Sequence, residues 1–373
     1  MAGTVPGETP GLAPQSAERQ ALSEGDFMVV RQKPITAKPA VIPSNGNILL
    51  DQHGRVFDYL RIAVNEKCNL RCIYCMPEEG IDFKPVEKCL TTDEILRLIS
   101  IAASLGVRKI RFTGGEPLIY KELVPLIREV ASIPGIKSIH VTTNGLLLQK
   151  MAEDLLAAGV DGVNISLDTL HQDRFEEITR RKGLEKVLGG LSLALRIGFP
   201  SVKVNMVAMR SFNEDEIGDF VELTKENHLA VRFIELMPFD AHQIWNTGKF
   251  LGADRILETL HSLYPQLNRV TGSATEEHVF RVPGFKGKVA VIPSFTRSFC
   301  GNCNRIRLTA DGRIRNCLYS DNEFNVRDLM RNGAMDEEIG RMFRQAMWVK
   351  PKDGWEALKT NGNHRESMTQ IGG

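Results

Sequence analysis

Seven cysteines stand in the 373-residue chain, and six of them form two tight groups, Cys68-Cys72-Cys75 and Cys300-Cys303-Cys317. An odd total without an apolar secretory segment argues against a disulfide framework, so the groups read as metal or iron–sulfur ligands. Structural zinc normally takes four protein ligands, and the first group offers three thiolates with no histidine or fourth cysteine nearby. A 4Fe–4S cluster held by three thiolates leaves one iron open to an outside ligand, which fits better. The second group, read alone, suits a zinc ribbon lacking one ligand nearly as well, with Cys89 or a remote side chain as fourth donor. Beside the first group, a second open-iron cluster is the preferred reading. Cys89 itself is expected to be a small buried hydrophobe.

Other residues could hold ligands. Gly114-Gly115-Glu116-Pro117 ends a strand pattern. Its glycines permit close backbone approach and Glu116 can pair with an ammonium, although Gly-Gly before a proline also serves an ordinary strand-to-helix turn. Arg305 and Arg307 lie two apart on a strand pattern, so both guanidiniums share a face and can take phosphate or carboxylate; an exposed basic face is the plainer alternative. Arg61 and Arg111 each interrupt a short apolar strand, where an unpaired cation is costly unless it snorkels to water.

These groups need a scaffold. Hydrophobic residues make up 42% and charged residues 25%, the balance of a soluble globular protein. A formal net charge of +1 excludes global attraction to nucleic acid or an anionic membrane, so an anionic ligand must be met by local cations. No stretch reaches the ~18 apolar residues of a membrane span. Residues 1–50 hold six of the seventeen prolines and no sustained hydrophobic period, which predicts a disordered or loosely attached leader. Glu8, Glu18, Glu24 and Asp26 interrupt it, so it reads as a cytoplasmic extension rather than a transit peptide.

From Tyr59 onward, strand patterns (59–64, 109–113, 138–143, 162–167, 202–209, 231–237) alternate with amphipathic segments (92–105, 121–131, 147–158, 184–197, 214–227). Alternation implies parallel strands joined by crossover helices, and six units are too few for a closed eight-fold barrel. The fold expected is therefore α/β, a partial (β/α)6 barrel over residues 51–240. A smaller C-terminal α+β region over 241–373 carries strands at 287–293 and 305–309. Polar residues gather at the strand ends, in 114–117, 142–145, 166–168 and 235–238, where parallel α/β folds bind ligands.

The spacing Cys-x-x-x-Cys-x-x-Cys, with Tyr74 before the last cysteine, resembles the signature loop of the radical S-adenosylmethionine superfamily. From about Phe57 to the C-terminus the chain further resembles the GTP 3′,8-cyclase family, also called molybdenum cofactor biosynthesis protein A. The resemblance runs through Gly114–Pro117, Thr142–Gly145, Asn164–Asp168, Lys203–Asn205, Arg232–Met237, Cys300–Arg307, Cys317 and Ile371–Gly373. It implies two 4Fe–4S clusters, one on Cys68, Cys72 and Cys75 and one on Cys300, Cys303 and Cys317. It implies S-adenosylmethionine contacts at Tyr74, Gly115, Glu116, Ser166 and Met237. GTP contacts are implied at Arg61, Arg111, Thr142, Lys203, Arg305, Ile306 and Arg307, and a catalytic role for Arg305, Arg307 and the terminal Gly372 and Gly373. The reaction implied abstracts the ribose 3′ hydrogen of GTP and closes that carbon onto C8, giving 3′,8-cyclo-7,8-dihydro-GTP. Further implications are flavodoxin or ferredoxin as electron donor, cyclic pyranopterin monophosphate synthase downstream, and a cytoplasmic homodimer.

Tyr120 and residues 351–364 depart from the family pattern. A radical enzyme acting on a peptide is the competing reading, but such proteins often carry more than three C-terminal cysteines. An electron carrier would need neither the Gly-Gly-Glu-Pro segment nor the arginines.

Overall fold

A computed structural model describes residues 47–237, 247–272, 278–296, 300–360 and 367–371. Most of the expected leader, the expected boundary at 239–248 and the Gly372-Gly373 pair lie largely or wholly outside these residues.

Six parallel strands appear where the β-branched runs predict them: β1 (Tyr59–Ala63), β2 (Lys109–Thr113), β3 (Ser138–Thr143), β4 (Gly162–Ser166), β5 (Ser201–Ala208) and β6 (Leu229–Glu235). Crossover helices α1 (Thr92–Ser104), α2 (Leu123–Ala131), α3 (Leu148–Ala157), α4 (Gln172–Thr179), α5 (Leu184–Ile197) and α6 (Ile217–Glu222) join them. A reciprocal capping box between Thr91 and Glu94 starts α1, which buries Ile95, Leu98 and Ile99 against the sheet's outer face. The segment 172–179 carries only Phe175, Ile178 and Thr179 as buried positions, too weak a stripe to stand out in the sequence. The expected helix at 214–227 is shorter: a 3-10 turn at Glu214–Glu216 leads into α6.

The C-terminal region extends the same sheet at both edges. After α7 (Ala253–Leu263) come β7 (Asn268–Arg269), β8 (His278–Arg281), β9 (Lys288–Ile292), β10 (Arg305–Leu308), β11 (Arg313–Arg315) and β12 (Glu323–Asn325). Helices α8 (Val326–Arg331), α9 (Asp336–Trp348) and α10 (Gly354–Thr360) follow. The strand order is β12-β11-β10-β1-β2-β3-β4-β5-β6-β9-β8-β7, so β10 flanks β1 and β9 flanks β6, both parallel. β12 and β7 stand at opposite ends of this order, and the sheet is open. Among the described residues no helix is long and apolar enough to cross a membrane.

Period-two alternation sorts the side chains. Leu60, Ile62, Ile110, Phe112, Val141, Ile165 and Val204 enter the main core with the helices. The opposite face carries Tyr59 and Arg61 on β1, Arg111 on β2, His140 on β3, Asn164 on β4, Lys203 on β5 and Arg232 on β6.

Candidate active site

A cavity of about 330 Å³ is lined by strand ends and by all six clustered cysteines. The loop carrying Cys68, Cys72 and Cys75 leaves β1 and is pinned from below. Arg71 and Ile73 amides donate to the carbonyls of Thr179 and Ile178 at 3.0 and 2.9 Å. Arg180, in the left-handed region at φ 54, donates through Nη1 to the carbonyls of Arg71 (2.9 Å) and Met76 (3.1 Å). Burial pushes all three thiols up, Cys75 to about 12. The segment 367–371 docks here: Ser367 Oγ donates to the Cys75 carbonyl at 2.7 Å, and the Thr369 and Met368 amides reach the Cys75 thiol.

Gly115 explains part of the Gly-Gly-Glu-Pro segment differently from the sequence expectation. Its close approach is to the cysteine loop: a Cβ there would lie 2.1 Å from the Lys67 carbonyl oxygen. Gly115 and Glu116 amides donate to Asn65 and Lys67 carbonyls at 2.9 and 2.7 Å. The Glu116 carboxylate, expected to pair with an ammonium, accepts from Leu118 N (3.0 Å), Thr143 Oγ1 (2.7 Å) and Asn144 N (2.7 Å). Burial outweighs these bonds and pushes Glu116 up to about 7. Asn144 in turn donates to Asn69 Oδ1 at 2.7 Å, so the ends of β2 and β3 hold the loop jointly.

Tyr74 packs at the same rim, its hydroxyl donating to Asp168 Oδ2 at 2.7 Å. Burial raises Asp168 to about 6. Ser166 and Met237 also line the cavity. The five residues expected to meet S-adenosylmethionine therefore share one rim.

The second group sits where β10 begins. Arg55, buried and paired with Asp51 at 2.5 Å, donates to the carbonyls of Cys300 (3.0 Å), Lys352 (2.9 Å) and Pro351 (2.6 Å). Lys350, buried, donates to the carbonyls of Asn316 and Arg305. Burial would raise Cys303, but the Lys350 and Arg305 cations outweigh it and bring the thiol down to about 7. The six cysteines are free, three in each group, and each group offers the three thiolates that a 4Fe–4S cluster with one open iron takes.

Between the groups, strand register aligns cations. Arg307, Arg61 and Arg111 stand directly opposite one another on β10, β1 and β2, and His140 follows on β3. Like charges placed opposite on neighbouring strands repel, so this row calls for an anion. Arg111 is 3% exposed and donates to Thr142 Oγ1 at 3.0 Å. Burial and the surrounding cations push His140 down to about 2, keeping it neutral. Among the described residues His140 Nδ1 and both polar atoms of the buried Asn164 have no hydrogen-bond partner, a cost a polar ligand would relieve. Lys203 faces Asn164 across the β4–β5 pair.

Ile306, expected among the nucleotide contacts, turns its side chain away from Arg305 and Arg307. It is fully buried in the main core, because alternation sends it to the face opposite Arg305 and Arg307. Arg232, Asn205, Lys350 and Arg55 line the cavity without having been expected there. Arg232 Nε donates to Asn205 Oδ1 at 2.8 Å. The signal for Arg232 was present: it interrupts an apolar strand as Arg61 and Arg111 do.

A parallel open barrel with a three-cysteine loop after its first strand defines a radical S-adenosylmethionine protein. Residues 62–224 match the Radical SAM superfamily model, and residues 229–355 match Molybdenum Cofactor Synthesis C. The chain is similar in fold to Streptococcus suis SuiB bound to S-adenosylmethionine, with TM-score 0.52, 17% identity, and coverage of 78% of this chain and 69% of that one. It is 44% identical to GTP 3′,8-cyclase of Chlorobaculum tepidum, over 87% of this chain and 97% of the relative. It is 47% identical to molybdenum cofactor biosynthesis protein 1 of Drosophila melanogaster, over 82% of this chain but only 54% of that longer protein. The mitochondrial GTP 3′,8-cyclase of Arabidopsis thaliana is 41% identical, over 88% of this chain and 84% of the relative. The chain belongs to the GTP 3′,8-cyclase family.

Proposed function

We propose that the chain converts GTP to 3′,8-cyclo-7,8-dihydro-GTP, the first step of molybdenum cofactor biosynthesis. The observation that carries this is the guanidinium row Arg307-Arg61-Arg111, of which Arg307 and Arg61 line a cavity bounded by two three-thiol groups. When bound, the two 4Fe–4S clusters and S-adenosylmethionine supply the adenosyl radical that takes the ribose 3′ hydrogen. Cys68, Cys72 and Cys75 hold one cluster, and Cys300, Cys303 and Cys317 the other. Tyr74, Gly115, Glu116, Ser166 and Met237 form the S-adenosylmethionine side. Arg61, Arg111, Thr142, Lys203, Arg305 and Arg307, joined by Arg232, clamp the triphosphate and fix the ribose, the kind of positioning that converts binding into rate. A catalytic role for Gly372 and Gly373 belongs to the same reading, and the docking of 367–371 on the Cys75 loop supports it.

In this reading flavodoxin or ferredoxin reduces the enzyme, cyclic pyranopterin monophosphate synthase consumes the product, and the protein works as a cytoplasmic homodimer. Anaerobic reconstitution, followed by dithionite, S-adenosylmethionine and GTP, tests it. The expected result is 5′-deoxyadenosine together with a cyclised nucleotide, at about eight irons per chain for two three-thiolate sites. Formation of 5′-deoxyadenosine with GTP unchanged would overturn the substrate, and about four irons would overturn the second cluster.

A further inference from the structure

Tyr59 opens β1 at the foot of the guanidinium row and is 7% exposed. Register places it between Arg305 of β10 and Lys109 of β2. Its hydroxyl oxygen accepts a short hydrogen bond from Arg111 Nε and a longer one, 3.4 Å, from Arg61 Nε. The two guanidinium carbons lie 5.7 and 5.8 Å from its ring centroid, and Lys109 Nζ lies 5.1 Å from it.

A guanidinium is a planar fork, so tying Nε to a fixed oxygen sets the direction of the two terminal nitrogens. One tyrosine oxygen therefore sets the aim of two neighbouring forks. Among the described residues the hydroxyl has hydrogen-bond donors but no acceptor for its own proton. Burial would tighten that proton, but Arg111 and Arg61 outweigh burial and hold the phenol well below its usual range. An oxygen held that way is a strong acceptor, and its bonds to the two forks are charge-assisted.

We propose that Tyr59 is a positioning residue of the triphosphate clamp, its hydroxyl oxygen fixing the Arg61 and Arg111 forks in the direction that takes the phosphates of the bound nucleotide. The inference rests on the GTP reading above. No bond other than hydrogen bonds is made or broken.

The test is Tyr59→Phe in the reconstituted holoenzyme. Phenylalanine keeps the ring and its contacts with Arg61, Lys109 and Arg111, and removes one oxygen. KM for GTP should rise about tenfold or more, the scale of a lost hydrogen bond to a charged group, with a much smaller change in kcat. Competitive inhibition by inorganic tripolyphosphate should weaken by a similar factor, because the forks that take phosphate lose their aim. Tyr59→Leu, which also removes the ring, should raise KM further. Unchanged KM and unchanged tripolyphosphate inhibition overturn the proposal, as does a fall in kcat at constant KM. Wild-type protein that leaves GTP unconverted defeats the functional reading itself; a working wild type matched by the phenylalanine variant defeats only the role of Tyr59.

Discussion

Replacing Gly115 by alanine separates the loop's packing from its chemistry. The new methyl would meet the Lys67 carbonyl oxygen at 2.1 Å, the Lys67 carbonyl carbon at 2.4 Å and the Glu66 carbonyl oxygen at 2.5 Å. All three are backbone atoms, so no side chain can swing aside. Relief requires residues 66 and 67 to move, breaking the bonds from Gly115 N to Asn65 O and from Glu116 N to Lys67 O. Overpacking of about 1–3 kcal/mol and two hydrogen bonds at about 1 kcal/mol each put the displacement at about 3 kcal/mol or more. That corresponds to a shift of the loop away from its native position of roughly a hundredfold at the least. Gly301 is the matched control: it also lies inside a cysteine motif, yet a Cβ there meets nothing within 4 Å. After anaerobic reconstitution Gly115→Ala should bind about four irons per chain, all at the second site, while Gly301→Ala binds about eight. It should also form little 5′-deoxyadenosine. Full iron content and normal cleavage in Gly115→Ala would show that the contact does not hold the loop, and would refute the reasoning.

Arg180→Gly keeps the left-handed backbone at the end of α4 but removes the donors to Arg71 and Met76, so Cys72 of cluster-free protein should be alkylated about tenfold faster; an unchanged rate counts against the pinning role. Asp168 is raised from 3.8 to about 6 by burial, so its proton-linked stability is present below about pH 4 and lost as pH rises through 6. Relative to Asp168→Asn, wild type should lose up to roughly 3 kcal/mol between those pH values, and a flat difference in denaturant midpoints would refute the shift. In cluster-free protein at neutral pH, Cys303, near 7, should be alkylated well before Cys75, near 12, and Lys350→Met should slow Cys303; equal labelling of the two would contradict the field described.

Local patterns carried much of the architecture. β-Branched runs such as 162–166 and amphipathic stretches such as 92–104 announce themselves within a dozen residues, because burial on one face selects them. The placement of β9 and β10 on opposite edges of the barrel strands was not legible, since register with β6 and β1 spans long stretches of chain. The roles of Arg55 and Lys350 were hidden for the same reason. Arg55 reaches Cys300 across 245 positions, and nothing near it in sequence marks the contact. Gly115 was legible as a demand for closeness, but not as closeness to Lys67. The face taken by the Ile306 side chain was decidable from sequence alone: the two-residue spacing that aligns Arg305 with Arg307 turns the residue between them away.

A net charge of +1 conceals a cavity polarised along the barrel axis. Arg61, Arg111 and Lys203 are each the third residue of their strands, whereas Glu116 and Asp168 lie beyond the strand ends, beside the first cysteine loop. The interior is therefore cationic and the rim carries buried acids with raised pKa values. A sulfonium cofactor is repelled by the interior and tolerated at the rim; a triphosphate has the opposite preference. Low dielectric strengthens both preferences once the cavity is filled. Two ligands of opposite charge are thus sorted to different depths before either touches an iron, and Arg307 and Arg305, entering on β10 beside Cys303, bring the second thiol group to the cationic side. Of the two edges at which the C-terminal region joins the sheet, the β10 edge brings Arg305 and Arg307 beside Arg61.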